Sequence, residues 1–162
     1  MRFVLSILIV LNITAQAQEN LSDGLTIDEP HVFLAWGTPM RDLFGYPRLR
    51  FRTNLKTKIQ DFEWDSITVF HTPVDSAFFM SHYADGASRL GYMLLFFNGR
   101  YLDTIENAVI HSLGPPKRAE RKGGQFLDVW KTDRFYAFIN NRYRVGRQRL
   151  SCVGILWRRR HF

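Results

Sequence analysis

Apolar and polar positions along the chain change period several times, and each change predicts an element. Met93-Leu94-Leu95-Phe96-Phe97 is an unbroken apolar run closed by Asn98-Gly99, which predicts a strand buried on both faces. Leu102, Ile105, Val109 and Leu113 recur at helical spacing, and Gly114-Pro115-Pro116 stops that helix. Asp28 predicts the cap of a short helix carrying Val32, Phe33 and Trp36 and ended by Gly37; Thr38-Pro39 starts a single turn that stops at Gly45. Thr72-Pro73-Val74-Asp75 repeats the start signal and predicts a helix to about Tyr83, before Gly86.

From Lys117 to Trp157 the helical period gives way to β-formers, and the segment reads as an antiparallel meander. Opposed residues of an antiparallel hairpin have a constant sum of residue numbers. A turn at Thr132-Asp133 opposes Leu127 with Phe138 and Val129 with Tyr136; one at Asn140-Asn141 opposes Phe138 with Tyr143 and Tyr136 with Val145. Those six residues then share one apolar face. The other face carries Phe126, Trp130, Phe135 and Ile139 and ends in Arg142 and Arg144.

The same rule interprets the most enzyme-like feature of the chain. Asp61, Glu63 and Asp65 alternate with Phe62 and Trp64, and clustered carboxylates are the material of metal sites and acid/base pairs. Arg48-Leu49-Arg50-Phe51-Arg52 alternates with the same period, however, and a hairpin centred near Lys56-Thr57 opposes Arg48 with Asp65, Arg50 with Glu63 and Arg52 with Asp61. Leu49 then meets Trp64, and Phe51 meets Phe62. The acids are therefore expected in a solvent-facing cross-strand charge ladder that fixes register.

Two ends of the chain change the picture. Met1 to Ala17 begins with Arg2, continues through the apolar run from Phe3 to Leu11, and closes on Ala15-Gln16-Ala17. A basic start, a short apolar stretch and small residues before a cut predict a signal peptide over 1–17, with a periplasmic or extracellular product. The run is too short to span a bilayer. Residues 18–28 are polar and acidic and read as a flexible arm; 29–162 is expected to form a single α+β domain, short helices on an antiparallel, meander-type sheet, with a basic C-terminal tail. Hydrophobic residues at 46%, aromatics at 15%, exclude a disordered chain. One cysteine, Cys152, excludes an internal disulfide; its β-rich surroundings predict burial as a small hydrophobe.

Charge supplies the candidate site. The chain carries 22 Lys+Arg against 15 Asp+Glu, a formal net charge of +7. From residue 117 onward there are 13 basic against 3 acidic residues, whereas residues 18–116 hold 8 against 12. The arginines Arg142, Arg144, Arg147, Arg149, Arg158, Arg159 and Arg160 form the expected anion-binding surface. Its partner would be a glycan, a lipid headgroup, a nucleic acid or an acidic protein. The chain has no HExxH, GxSxG, Walker A or GxGxxG pattern, and no cofactor, metal or catalytic residue is expected. An exported non-catalytic binding protein is the leading reading. The alternatives are a small secreted hydrolase, such as a nuclease drawing on His71, His82, His111 or His161, and an envelope structural subunit.

Overall fold

The structure, a computed structural model, describes residues 21–53, 60–84, 87–122, 125–145 and 148–157. The expected signal peptide, the hairpin turn near Lys56-Thr57, Arg147 and Arg158 to Arg160 lie outside the described residues. In chain order, β1 (Gly24–Ile27) pairs with β2 (Val32–Ala35) as a separate hairpin, and one 3-10 turn covers Met40–Gly45. Then come β3 (Leu49–Thr53), β4 (Gln60–Trp64), the two-residue strands β5 (Thr68–Val69) and β6 (Thr72–Pro73), β7 (Ser76–Ala84) and β8 (Ala87–Asn98). A 3-10 turn leads into α1 (Leu102–Leu113), followed by β9 (Arg118–Lys122), β10 (Gln125–Lys131), β11 (Phe135–Val145) and β12 (Gln148–Trp157). The fold is mostly antiparallel sheet with few short helices. Eight strands join in the order β3-β4-β7-β8-β12-β11-β10-β9.

Several expected elements form as read. Pro39 precedes the 3-10 turn, and Thr38 Oγ1 donates to the Ala35 carbonyl at its start. α1 buries Ile105 and Val109 and ends at Gly114, whose φ of 76° suits glycine and whose N–H donates to the Ile110 carbonyl. Trp130 Nε1 donates to the Gly114 carbonyl at 2.7 Å, tying the helix end to β10. The β3–β4 register is the expected one for four pairs, Leu49 opposite Trp64, Arg50 opposite Glu63, Phe51 opposite Phe62 and Arg52 opposite Asp61, but the expected Arg48–Asp65 pair does not form: Arg48, at φ 63°, precedes β3 and Asp65 meets Arg50.

Other expectations are corrected. The described part of the 18–28 arm is not loose: Leu21, Leu25 and Ile27 are buried, and the Leu21 N–H donates to Ser112 Oγ. Its apolar residues alternate over too short a span to announce a strand. The helix expected from Asp28 is instead β2, because Asp28 is engaged elsewhere: its carboxylate accepts from the His71 N–H at 2.7 Å and its own N–H donates to the Thr68 carbonyl. The helix expected to Tyr83 is β7, held between β4 and β8. Both of its faces are apolar, so the period of two is masked. The run in β8 has one fully buried face, with Met93, Leu95 and Phe97 at 0% exposure, and one half-buried face.

In the C-terminal strands, Val129 opposes Phe138 and Leu127 opposes Asn140, two residues from the expected register. Thr132 explains the shift: its hydroxyl accepts from the N–H groups of both Arg134 and Phe135 and widens the turn. Asn140-Asn141 is no turn. β11 runs on, and a bulge between Asn140 and Tyr143 carries its pairing with β12 to Val145 opposite Gln148.

Candidate functional site on the open face of the sheet

The sheet has two apolar faces, and only one is finished. On the inner face the cross-strand rows Leu49-Trp64-Ala77-Leu95-Val153-Ile139 and Phe62-Phe79-Met93-Ile155-Ala137 meet the buried apolar side chains of α1, the β1–β2 hairpin, the Met40–Gly45 turn and the β5–β6 hairpin in one core, while Phe51 at the β3 edge stays exposed. Every described element outside the sheet contributes to that core. No residue of the opposite face belongs to it.

On that opposite face one row crosses all eight strands: Arg50, Glu63, Phe78, Leu94, Gly154, Phe138, Val129, Arg118. A parallel row runs Arg52, Asp61, Met80, Tyr92, Leu156, Tyr136, Lys131, and a third brings Phe96, Cys152, Asn140 and Leu127 together. Phe78, Met80, Tyr92, Leu94, Phe96, Tyr136, Phe138 and Leu156 are each half-buried. The centre is apolar over five strands, and charge stands at both margins. Phe78 and Phe96 meet edge to face at 5.8 Å between ring centroids, and the Phe138 ring lies over Gly154, where a Cβ would come within 2.3 Å of it. At about 4.8 Å between strands and 6.8 Å between rows, five strands by three rows make a patch of about 490 Å², in the upper part of the range of the largest apolar patch on a monomer, which is often functional.

The face holds two weakly acidic groups. Burial pushes the Cys152 thiol up to about 12. Burial first, then the neighbouring Cys152 and Tyr136, push the Tyr92 phenol up to about 12. A thiol held protonated is no nucleophile at neutral pH, and Cys152 is free and 4% exposed, as its strand predicts. At the β4 margin, Arg50 reaches diagonally to Asp65 at 3.3 Å. Asp61 Oδ1 is buried with no hydrogen-bond partner among the described residues, and burial raises the Asp61 carboxyl. The ladder is thus only partly solvent-facing. Among the described residues no group of three or more His, Cys, Asp or Glu side chains could hold a metal.

The expected arginines divide into two groups. Arg144 lies directly opposite Arg149, and Arg142 falls within the bulge of β11. The neighbouring end of β8 continues into exposed Arg100, whose guanidinium sits 4.6 Å over the Tyr101 ring. Arg158, Arg159 and Arg160 lie outside the described residues, after Trp157, the last residue of β12. Of the histidines, His71 has its Nδ1 3.7 Å from Asp28 Oδ1, with Phe70 and His71 both at φ 55° in the β5–β6 turn. His111 is exposed on α1, and His161 lies outside the described residues.

Sequence reasoning missed the open face because β7 was read as a helix, which took Phe78 and Met80 out of the sheet. The usable signal was the continuous apolar run Ala77-Phe78-Phe79-Met80, the same signature as the run of β8. No helix of the described residues is long and apolar enough to cross a membrane. The chain matches no protein-family model, and no curated protein and no solved structure is significantly similar to it.

Proposed function

We propose that the protein is an exported, non-catalytic binding protein, a single α+β domain with a meander-type C-terminal sheet, whose cationic surface meets an anionic partner. One observation carries the reading: Arg144 and Arg149 occupy directly opposed positions on adjacent strands. Like charges placed opposite one another destabilise a strand pair by up to about 1 kcal/mol. An anion between them reverses the sign of that interaction, and Arg100 at the neighbouring strand end adds to the same corner. A glycan sulfate, a lipid phosphate, a nucleic acid or an acidic protein segment supplies such a charge.

The test is binding of the purified protein to a heparin fragment, to phosphatidylglycerol vesicles and to a single-stranded oligonucleotide across a salt series. Affinity for at least one probe should fall with salt, and Arg144→Ser with Arg149→Ser should flatten that dependence. Replacing Arg158, Arg159 and Arg160 by Ser tests the other strand end separately. Affinity indifferent to salt and to both replacements overturns the reading. The hydrolase alternative draws on the His71–Asp28 approach; nuclease activity lost in His71→Gln would establish it in place of simple binding.

A further inference from the structure

We propose that the open face of the sheet is closed by a second copy of this chain, packed face to face about a two-fold axis that runs along the strands between β8 and β12. The inference is independent of the anion reading, since it uses other residues on another part of the sheet.

Three observations lead to a second copy. First, the strand order places four strands on each side of that axis, so the rotation lays β8 on β12, β7 on β11 and β4 on β10. A rotation about an axis along the strands keeps each row at its own level. Phe78 then meets Phe138 of the second copy, and apolar positions meet apolar positions through the centre. Second, the margins complement each other in one row, while Glu63 falls opposite Val129 in another. On this face β4 presents only Asp61 and Glu63, while β10 ends in exposed Lys131 in the same row as Asp61. The axis brings Asp61 of each copy to Lys131 of the other, an opposite-charge pair across the interface. At the outermost strands the position of Arg50 falls opposite that of Arg118, a like-charge pairing that opposes the contact and that salt weakens.

Third, the area reaches the low end of a specific interface. Rows of eight, seven and four positions give about 620 Å² at the usual strand and row spacings, against roughly 600–1,000 Å² per partner. Aligned packing of two twisted sheets is an ordinary architecture for antiparallel faces of this kind. The sheet edges are poor alternatives for self-association. β3 carries Arg50 and Arg52, and β9 reads Arg118-Ala119-Glu120-Arg121-Lys122, the charged pattern that discourages edge pairing.

The experiment is sedimentation velocity over a micromolar concentration series, with far-ultraviolet circular dichroism to confirm folding. The wild-type protein should sediment as a dimer. Leu94→Asp, at the centre of the face, should weaken association at least about a hundredfold, while Asp61→Lys and Lys131→Asp should each weaken it at least about tenfold. The double variant should recover most of that loss. Asp61 and Lys131 stand five strand spacings apart within one chain, about 24 Å, so recovery reports a contact between copies. Lys131→Asp, at an exposed position, keeps the test usable should Asp61→Lys fail to fold. A wild-type monomer throughout the series, a dimer indifferent to Leu94→Asp, or a double variant no better than the singles would each overturn the proposal. A monomer that takes up a fluorescent fatty acid lost in Leu94→Asp would overturn it in favour of an apolar ligand.

Discussion

Along the row Trp64, Ala77, Leu95, Val153 and Ile139 no side chain is more than 2% exposed, whereas one residue away on the same strands Phe78, Leu94 and Phe138 keep part of their surface in water. Over the central strands both faces are mostly apolar in residue type. They differ in what lies on them: α1, two hairpins and a 3-10 turn cover one, and no described element contributes to the other. A sheet face acquires the character of a core from its cover. The open face therefore has the composition of an interior and the exposure of a surface, which is the signature of an interface.

The largest expected effect breaks the comparison from the inner side. Phe79→Ala removes a fully buried ring between Phe62 and Met93 and should lower stability by about 3–5 kcal/mol in denaturant titrations, at any protein concentration. Leu94→Ala, half-buried, should cost about 1 kcal/mol in dilute solution and more as concentration rises. Equal losses at all concentrations would mean that the two faces are covered alike.

Alkali sharpens the same contrast. The folded chain holds the Cys152 and Tyr92 protons up to about pH 12, against ordinary values of 9.0 and 10.0. Between those limits the folded state binds more protons than the unfolded chain, so stability is complete below about pH 9 and is lost as pH rises toward 12. The total loss should reach a few kcal/mol. Cys152→Ala should move its onset upward toward pH 10, leaving the Tyr92 contribution. An onset unmoved by that substitution would show the thiol to be in ordinary contact with water.

How far the sequence reveals this contrast depends on whether the two faces of a strand differ. β3 and β4 were legible to the exact pair because charge occupies one side of each strand and apolar residues the other, so only one register satisfies both. α1 was legible because Gly114 and two prolines leave no freedom at its end. β7 was not, since Ala77, Phe78, Phe79 and Met80 are apolar on both faces and Pro73 mimics a helix start. The shared face of Leu127, Val129, Tyr136 and Phe138 was found correctly, but as a core face; nothing in those residues says that the cover lies on the other side. For the candidate anion site, residue types were visible and placement was not. Separating Arg144 and Arg149 from the C-terminal arginines requires knowing that β11 continues through a bulge at Asn140.

Gly154→Ala comes next in size. Its Cβ would lie 2.3 Å from two ring carbons of Phe138 and 3.1 Å from Leu94, so the ring must lift from the sheet, at about 1–3 kcal/mol. Combining it with Phe138→Leu should recover part of that loss, a coupling that a double-mutant cycle measures. Additive losses would mean that the ring is free to move, and the open face would then be softer than its packing suggests.

The smallest expected effect tests the margin of the open face. Arg50 is 70% exposed and its partner Asp65 37%, at 3.3 Å, so water weakens the pair and Arg50→Ala should change stability by no more than about 0.5 kcal/mol, with an unchanged denaturant slope. The pair specifies which strand positions meet and contributes little to how tightly they hold. A loss above about 1.5 kcal/mol in dilute solution would place the pair out of water. Something would then cover the β3–β4 margin within a single chain, and the difference between the faces would shrink to their central strands. A loss confined to high concentration would instead place the covering surface on a second molecule, with the rim of the proposed dimer extending to the sheet edge.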